Sequence, residues 1–455
     1  MTDRTYCVVG GGISGLTAAY RLRQAVGDDA TITLFDPGDK LGGILRTERV
    51  AGRSMDLGAE AFVRRRPEMP ALLAELGLSD RQLSTTGARP LIYSGQELHP
   101  LPTATVVGIP SSAASVTGLV DDATIERINA EPGRRLDWQP GSDPATAELI
   151  GDRFGEQTVA RSVDPLLSGV YAGSAATIGL RAAAPSVVAA LDRGAASLTD
   201  AVRRGLPPAS AGPVFGALDG GYQVLLDQLV ERSRLRWVGA AVDRIDRAER
   251  GWSMRDDTGS HWDADAVILA IPAPRLARLI SAVAPSSSAA ASRIASASSV
   301  VVALGVPGNT AFPECSGVLM ASGEPLRAKA ITLSSRKWGL QGDVQFLRLS
   351  FGRFGDNLAA TATDQQLLAW ATEDLAAVFG LDVEPVDARV QRWMEAMPQY
   401  GPGHADVVAE IRAGLPPTLA VAGSYLDGIG VPACIGAAGR AVKDVLEDID
   451  TEVAR

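Results

Sequence analysis

The chain opens on a continuous apolar run, Tyr6-Cys-Val-Val9, and after Gly10-Gly-Gly12 the apolar positions switch to helical spacing, with Ile13, Leu16, Ala19, Tyr20 and Leu22 on or near one face. This pattern predicts a strand, a glycine turn and a helix. A second run, residues 31–35, predicts a strand ending in Asp36. The same reading predicts a helix over 69–76 and hairpin strands over 91–93 and 97–98 about Gly95. From about 103 to 205 strand signals fade into Ala- and Leu-bearing helical segments, broken at Pro132, Pro140, Pro165 and Pro185. A strand, turn and helix over 217–226 come next, then strands over 235–242, 252–255 and 266–270 that read as a return to the first sheet. Long strands over 300–305 and 344–352 with a helix over 365–379 predict a second, covered sheet. The chain closes with a strand ending in Gly423, a glycine loop, and a helix from Pro432 to about Asp448.

The opening turn carries chemistry. Gly10, Gly12 and Gly15 fit G-x-G-x-x-G, and each has its own physical role: a tight turn, close approach of backbone to a pyrophosphate, and packing of helix on strand. The helix start at Ile13, Ser14 and Leu16 presents unpaired N–H groups to the phosphates. Asp36, at the end of the second strand and followed by Pro37, is placed to accept from ribose hydroxyls. A glycine turn with no ligand is the bland alternative, but the strand before, the helix after and the terminal acid argue for a dinucleotide. Gly42 and Gly43, six residues past the acid, let backbone pass against a flat cofactor, which favours FAD over NAD.

The remaining motifs are less specific. Leu57, Gly58 and Ala59 form another backbone turn near the cofactor. Val242 could offer its main chain to the adenine edge or be a core valine. Arg64-Arg-Arg66 reads either as a solvated turn or as an edge that recognises anions. Tyr171, bracketed by glycines, could be a core aromatic or line a pocket. The terminal loop, with Gly423, Ile429, Gly430 and Val431, sets a second polarised helix start where it can face a flavin ring and stabilise negative charge on the reduced ring.

Composition narrows the class. The 455 residues give a length prior of about three domains. A net charge of −10 argues against a general nucleic-acid or anionic-membrane surface. The cysteines, Cys7, Cys315 and Cys434, are widely spaced and odd in number, forming neither a disulfide framework nor metal-ligand spacing, so a cytoplasmic location is expected. The first strand begins by about residue 5, which leaves no room for a signal peptide, and apolar runs such as 266–271 fall well short of the ~20 residues of a membrane span.

Three stretches together carry a resemblance: Leu41-Gly-Gly-Ile-Leu-Arg-Thr47, Asp164-Pro-Leu…Gly-Val-Tyr-Ala-Gly173, and Ala422-Gly-Ser-Tyr…Gly-Ile-Gly-Val-Pro…Cys-Ile435. With the opening fingerprint they resemble the FAD-dependent porphyrinogen oxidases of haem biosynthesis, flavoproteins related to monoamine oxidase. Ile44 stands where amine oxidases and desaturases usually carry arginine, which favours the porphyrinogen branch. Gly436-Ala437 departs from the polar pair often found after Cys-Ile.

The resemblance implies an α/β fold: a Rossmann-like FAD-binding domain (1–62, 207–274, 391–455), interleaved with a mixed-sheet substrate domain (63–102, 275–390) and a helical insertion (103–206). It implies FAD bound by Gly10, Gly11, Gly12, Ile13, Ser14, Gly15, Leu16, Asp36, Pro37, Gly42, Gly43, Leu57, Gly58, Ala59, Val242, Trp393, Gly423, Ile429, Gly430 and Val431. The reaction implied is a six-electron oxidation in which hydride passes to flavin N5 three times and oxygen is reduced to hydrogen peroxide. No catalytic side chain and no metal are called for. Soluble, acidic members resemble the bacterial enzymes that use coproporphyrinogen III, with four propionates, rather than protoporphyrinogen IX, with two. Arg64, Arg65, Arg89 and Lys329 are the candidate carboxylate partners, with Tyr171 in the pocket. A contact with a ferrochelatase stays open. Alternatives are a protoporphyrinogen oxidase, an amine oxidase or carotenoid desaturase of the same fold, and a non-catalytic binding protein of the GDP-dissociation-inhibitor type.

Overall fold

The computed structural model describes residues 4–208 and 212–453. Five strands form a parallel sheet in the order Arg236–Val238, Thr31–Phe35, Thr5–Val9, Ala266–Leu269, Leu419–Val421. Both faces of this sheet are covered, which explains why its strands read as continuous apolar runs rather than alternating ones. Tyr6, Val8, Ile32, Leu34 and Ile268 point into a core shared with the helices Ile13–Val26, Gln223–Ser233 and Val431–Val453. Cys7, Val9, Phe35, Val267 and Leu269 point the other way, onto a small antiparallel sheet and the helices Ala273–Leu279 and Pro285–Ser292.

A seven-stranded mixed sheet runs in the order Asp387–Pro398, Ser296–Pro307, Val344–Phe351, Ala328–Thr332, Gly317–Met320, Leu91–Ser94, Glu97–Pro100. The helix Asp364–Phe379 covers it, opened by a capping box at Thr363 and Gln366 and closed by Gly380 at φ 67°. Two bulges break the regular pairing. Met394, Glu395 and Ala396 are extruded opposite Ser298, and Lys329 is the extra residue between Ala328 and Ala330.

The segment between these sheets is largely helical and has a core of its own. Its buried pin is Glu131, which accepts from Arg153 Nη2 at 2.6 Å and from the Leu198 and Thr199 amides at 2.8 and 3.1 Å. The carboxylate therefore pairs a buried guanidinium and satisfies a helix start at once.

Three local expectations are corrected. Pro165 does not break a helix but lies within a continuous helical run, Glu156–Thr158, Val159–Val163 and Asp164–Tyr171, whose middle turn widens to a π-helix just before it, whereas Pro185 does mark a break, opening Pro185–Asp192 after Leu180–Ala183 has ended. The insertion also contains a short antiparallel pair, Thr105–Val106 with Ile109–Pro110. The run 235–242 is not one strand. Arg236–Val238 joins the parallel sheet, while Val242–Arg247 begins a separate antiparallel sheet with Trp252–Asp256 and His261–Ala264. Val242 nevertheless reaches the cavity described next.

Candidate active site

In open α/β sheets ligands sit beyond the carboxyl ends of the strands. Here the carboxyl ends of four parallel strands, at Val9–Gly10, Phe35–Asp36, Ala270–Ile271 and Gly423–Ser424, open into one cavity of about 780 Å³. Gly12, Ile13, Ser14, Pro37, Gly42, Gly43, Val242 and Trp393 also line it. Beginning and tail of the chain thus face the same space.

The three fingerprint glycines differ in what they leave room for. A Cβ on Gly10, which has φ +108°, would lie 2.3 Å from Ala270 O, and one on Gly15 would lie 1.8 Å from Gly10 O. Both are glycine because protein backbone occupies the space. A Cβ on Gly12 would meet nothing nearer than 3.9 Å, so that position is open toward the cavity. Gly42 N donates to Gly11 O at 2.8 Å, which lays the second glycine pair against the first turn.

Asp36 is already oriented. Its Oδ2 accepts from Gly11 N at 2.7 Å and its Oδ1 from Gly38 N at 2.8 Å. A carboxylate offers about four lone-pair sites, so acceptor capacity remains for two ribose hydroxyls. The residues present therefore fit FAD: an open backbone cradle at Gly12, an oriented acid at Asp36, and a cavity within the size range of ligand sites.

The loop 57–60 lies behind this cavity and is held from the mixed sheet. Trp393 Nε1 donates to Leu57 O at 2.8 Å and Arg348 Nη2 to Gly58 O at 2.6 Å. A Cβ on Gly58 would lie 1.6 Å from Ile44 O, so only glycine fits under the loop after Gly43. Burial opposes ionisation of Glu60, but Lys337 and Arg348 outweigh it and hold the carboxyl at about 2. The salt bridge from Lys337 Nζ to Glu60 is 2.7 Å long and ties this loop to the helix Ser334–Trp338.

At the other end, Tyr400 fixes the terminal loop. Its hydroxyl donates to Ser424 O and accepts from Gly428 N at 3.0 Å, while its ring stacks on His404 at 3.9 Å and lies 5.6 Å from Tyr171. His404 Nε2 is 2.9 Å from Tyr425 O, and burial holds the imidazole below its usual range. Ser14, at the start of the first helix, bonds the Cys434 thiol of the terminal helix, where burial pushes that thiol up to about 11. The two helix starts therefore touch.

Several residues assigned from sequence stand off the cavity wall. Gly11 and Gly15 shape the turn from behind, and Leu16 is fully buried beneath it. Leu57, Gly58 and Ala59 belong to the gripped loop. Gly430 O accepts from Cys434 N at 3.1 Å, Val431 is buried, and Ile429 is half-buried beside them. Tyr171 packs against Tyr400. Arg64 bonds Ser84, while Arg65 and Arg89 are exposed, and none of the three lines this cavity. Lys329 is buried in the mixed sheet.

Sequence reasoning missed Ile271, Pro272, Arg275 and Arg278, although a parallel strand ending at Leu269 already placed whatever followed it at the ligand crevice. Met394, Glu395 and Ala396 also line the cavity, brought there by the bulge and with Glu395 at φ 48°. Nothing in the local sequence signals that bulge.

Comparison with known proteins agrees with this geometry. The family model described as flavin containing amine oxidoreductase matches residues 13–446. Coproporphyrinogen III oxidases of Mycobacterium tuberculosis (strain ATCC 25618 / H37Rv) and Mycobacterium leprae (strain TN) are 76% and 73% identical over 455 residues, covering 100% of both chains in each case. A solved structure from Exiguobacterium sp. 255-15, provisionally assigned as a protoporphyrinogen oxidase, superposes with a TM-score of 0.88 at 27% identity over 99% of this chain and 100% of that one. With its fingerprint, second glycine pair and terminal loop closing on one cavity, the chain belongs to the flavin containing amine oxidoreductase family.

Proposed function

We propose that this chain is an FAD-dependent coproporphyrinogen III oxidase of haem biosynthesis. The observation that carries the reading is identity of 76% across the full length of the Mycobacterium tuberculosis coproporphyrinogen III oxidase, with no part of either chain left over. Bound FAD supplies the chemistry, accepting hydride from a methylene bridge and passing the electrons to oxygen. The residues of this chain bind and orient. Gly10, Gly12, Ile13 and Ser14 offer backbone to the pyrophosphate, Asp36 accepts from the ribose, and Val242 stands at the adenine end. Gly42, Gly43 and Trp393 would hold the flavin, with Gly423, Ser424 and Tyr425 facing it from the tail. The terminal helix start would stabilise charge on a reduced flavin without an ionisable side chain.

Atoms and electrons balance as one coproporphyrinogen III plus three oxygen molecules giving one coproporphyrin III and three hydrogen peroxides. The experiment is aerobic turnover of coproporphyrinogen III and protoporphyrinogen IX by the purified holoenzyme, followed by porphyrin fluorescence and peroxide yield. Three peroxides per coproporphyrin III, with that substrate preferred, is the expected result. Turnover of protoporphyrinogen IX alone, or of an amine such as benzylamine alone, would overturn it.

A further inference from the structure

Away from the cofactor cavity, two cations sit together where the mixed sheet meets the helical insertion. Lys329 is the bulged residue of the strand Ala328–Thr332, only 4% exposed, and its Nζ donates to Gly352 O at 2.7 Å. Among the described residues it has no carboxylate partner. Arg353, the residue after Gly352, is half-buried, and its guanidinium makes no hydrogen bond or ion pair with any described residue.

The acids nearby are already engaged by other donors. Asp164 accepts from Ala175 N and from Ser322 Oγ, both at 2.7 Å. Asp356 accepts from Arg353 N at 2.7 Å and Leu358 N at 3.2 Å, and Asp374 from Ala328 N at 2.6 Å. Neither cation touches a carboxylate directly, although Asp356, Asp164 and Asp374 act on Arg353 across space and Asp356 on Lys329. A buried ammonium that uses one of its three donors on Gly352 O, beside a half-buried guanidinium that uses none, leaves donors free for an anion that a ligand brings.

The surroundings are those of a carboxylated, largely apolar ligand. Phe354 N donates to Ala172 O at 2.6 Å, which docks the loop onto the end of the helix Asp164–Tyr171. There Phe354 and Val170 expose apolar side chains, at 38% and 48%. Both flanks of this patch lead to the cofactor cavity. On one side Gly352 packs on Ser299, which pairs with Trp393. On the other, Tyr171 packs on Tyr400, which holds Ser424. Three inter-strand steps separate the strand of Lys329 from that of Trp393, about 14 Å at ~4.8 Å per step.

We propose that Lys329 and Arg353 form the carboxylate-recognition end of the substrate site, holding a propionate of the tetrapyrrole between an ammonium and a guanidinium while Phe354 and Val170 border its apolar edge. This rests on the porphyrinogen reading above. The bulge is what turns the lysine out of the regular pleat to meet the arginine. Charge-assisted hydrogen bonds of this kind are worth enough for removal of either cation to be read as at least about a tenfold change in affinity.

The test compares binding of coproporphyrin III with binding of its uncharged tetramethyl ester, by fluorescence titration of the wild-type holoenzyme and of Arg353→Gln, Arg353→Lys and Lys329→Met. The two charge-removing variants are expected to weaken the acid about tenfold or more and leave the ester unchanged, with Arg353→Lys retaining much of the affinity. Equal losses for acid and ester, or no loss for the acid, would overturn the anchor. Wild-type protein that oxidises no porphyrinogen would instead overturn the activity, so the two failures are distinguishable. Melting temperatures, and the KM for coproporphyrinogen III against kcat, separate a binding effect from a folding defect, since the anchor acts on KM.

Discussion

Trp393 Nε1 donates a hydrogen bond to Leu57 O at 2.8 Å, so a residue of the mixed sheet holds the loop that follows the second glycine pair. The two sheets thereby meet at the wall of the cofactor cavity, and Trp393 both lines that wall and braces the loop behind it. Trp393→Phe would leave the Leu57 carbonyl without its donor, at a cost of about 1–3 kcal/mol. FAD affinity is expected to fall about tenfold, measured by recovery of flavin fluorescence on dilution. An unchanged affinity would place the indole outside the cofactor's support.

Tyr400 is the corresponding brace for the tail. Its hydroxyl donates to Ser424 O and accepts from Gly428 N, so one oxygen fixes both ends of the loop. Tyr400→Phe keeps the stack on His404 and removes both bonds. Faster FAD release, with a melting temperature lower by a few degrees, is expected. If FAD release stayed at the wild-type rate, the loop would not bear on the cofactor.

The glycines of the opening turn separate into two experimental classes. Gly15→Ala puts a methyl 1.8 Å from Gly10 O and should reduce folded yield whether or not flavin is added. Gly12→Asp meets no protein atom nearer than 3.9 Å at its Cβ, so the chain should fold while losing FAD to charge repulsion with the pyrophosphate. Asp36→Ala should weaken FAD about tenfold or more without abolishing it, because the backbone cradle is left intact. Stoichiometric yellow protein from Gly12→Asp would move the pyrophosphate elsewhere.

Lys329 gives a stability prediction whose sign is fixed by linkage. Burial, with repulsion from Arg353, lowers its pKa from 10.5 to about 7. Between those values the unfolded chain holds a proton that the native chain has given up, so stability rises with pH through the window. Below about 7 both states are charged and the full penalty applies. Lys329→Met should therefore raise the melting temperature most at pH 6 to 7, by about 1 °C for each kcal/mol relieved in a chain of 455 residues, and the gain should vanish toward pH 10.5. Thermal melts of the ligand-free proteins across this range check it. A variant less stable at every pH would show that the lysine is not a burdened cation.

Much of the cofactor side was legible because its chemistry is local. A tight turn, a strand end and a helix start fall within a few residues of one another, so Gly10, Gly12 and Asp36 announce themselves by spacing. The substrate side was not legible in that way. Arg64, Arg65 and Arg89 stand out in the sequence as cations in a run or near a hairpin, yet the structure leaves them away from the cavity. Arg353, which belongs to no sequence motif, stands beside Lys329 because Gly352, at φ 85°, turns the chain just after Phe351, the residue paired with Ala328.

By itself, then, the order of apolar and polar residues determined which segments would be buried sheet, which would be covering helix, and where a dinucleotide's phosphates could approach bare backbone, since these depend on neighbours in the chain. Tertiary structure decided which strand ends share a cavity, which carbonyl Trp393 reaches, and which cations go without a partner. Those outcomes depend on strand register and on two bulges, where one residue more or less against a distant strand redirects a side chain at little local cost.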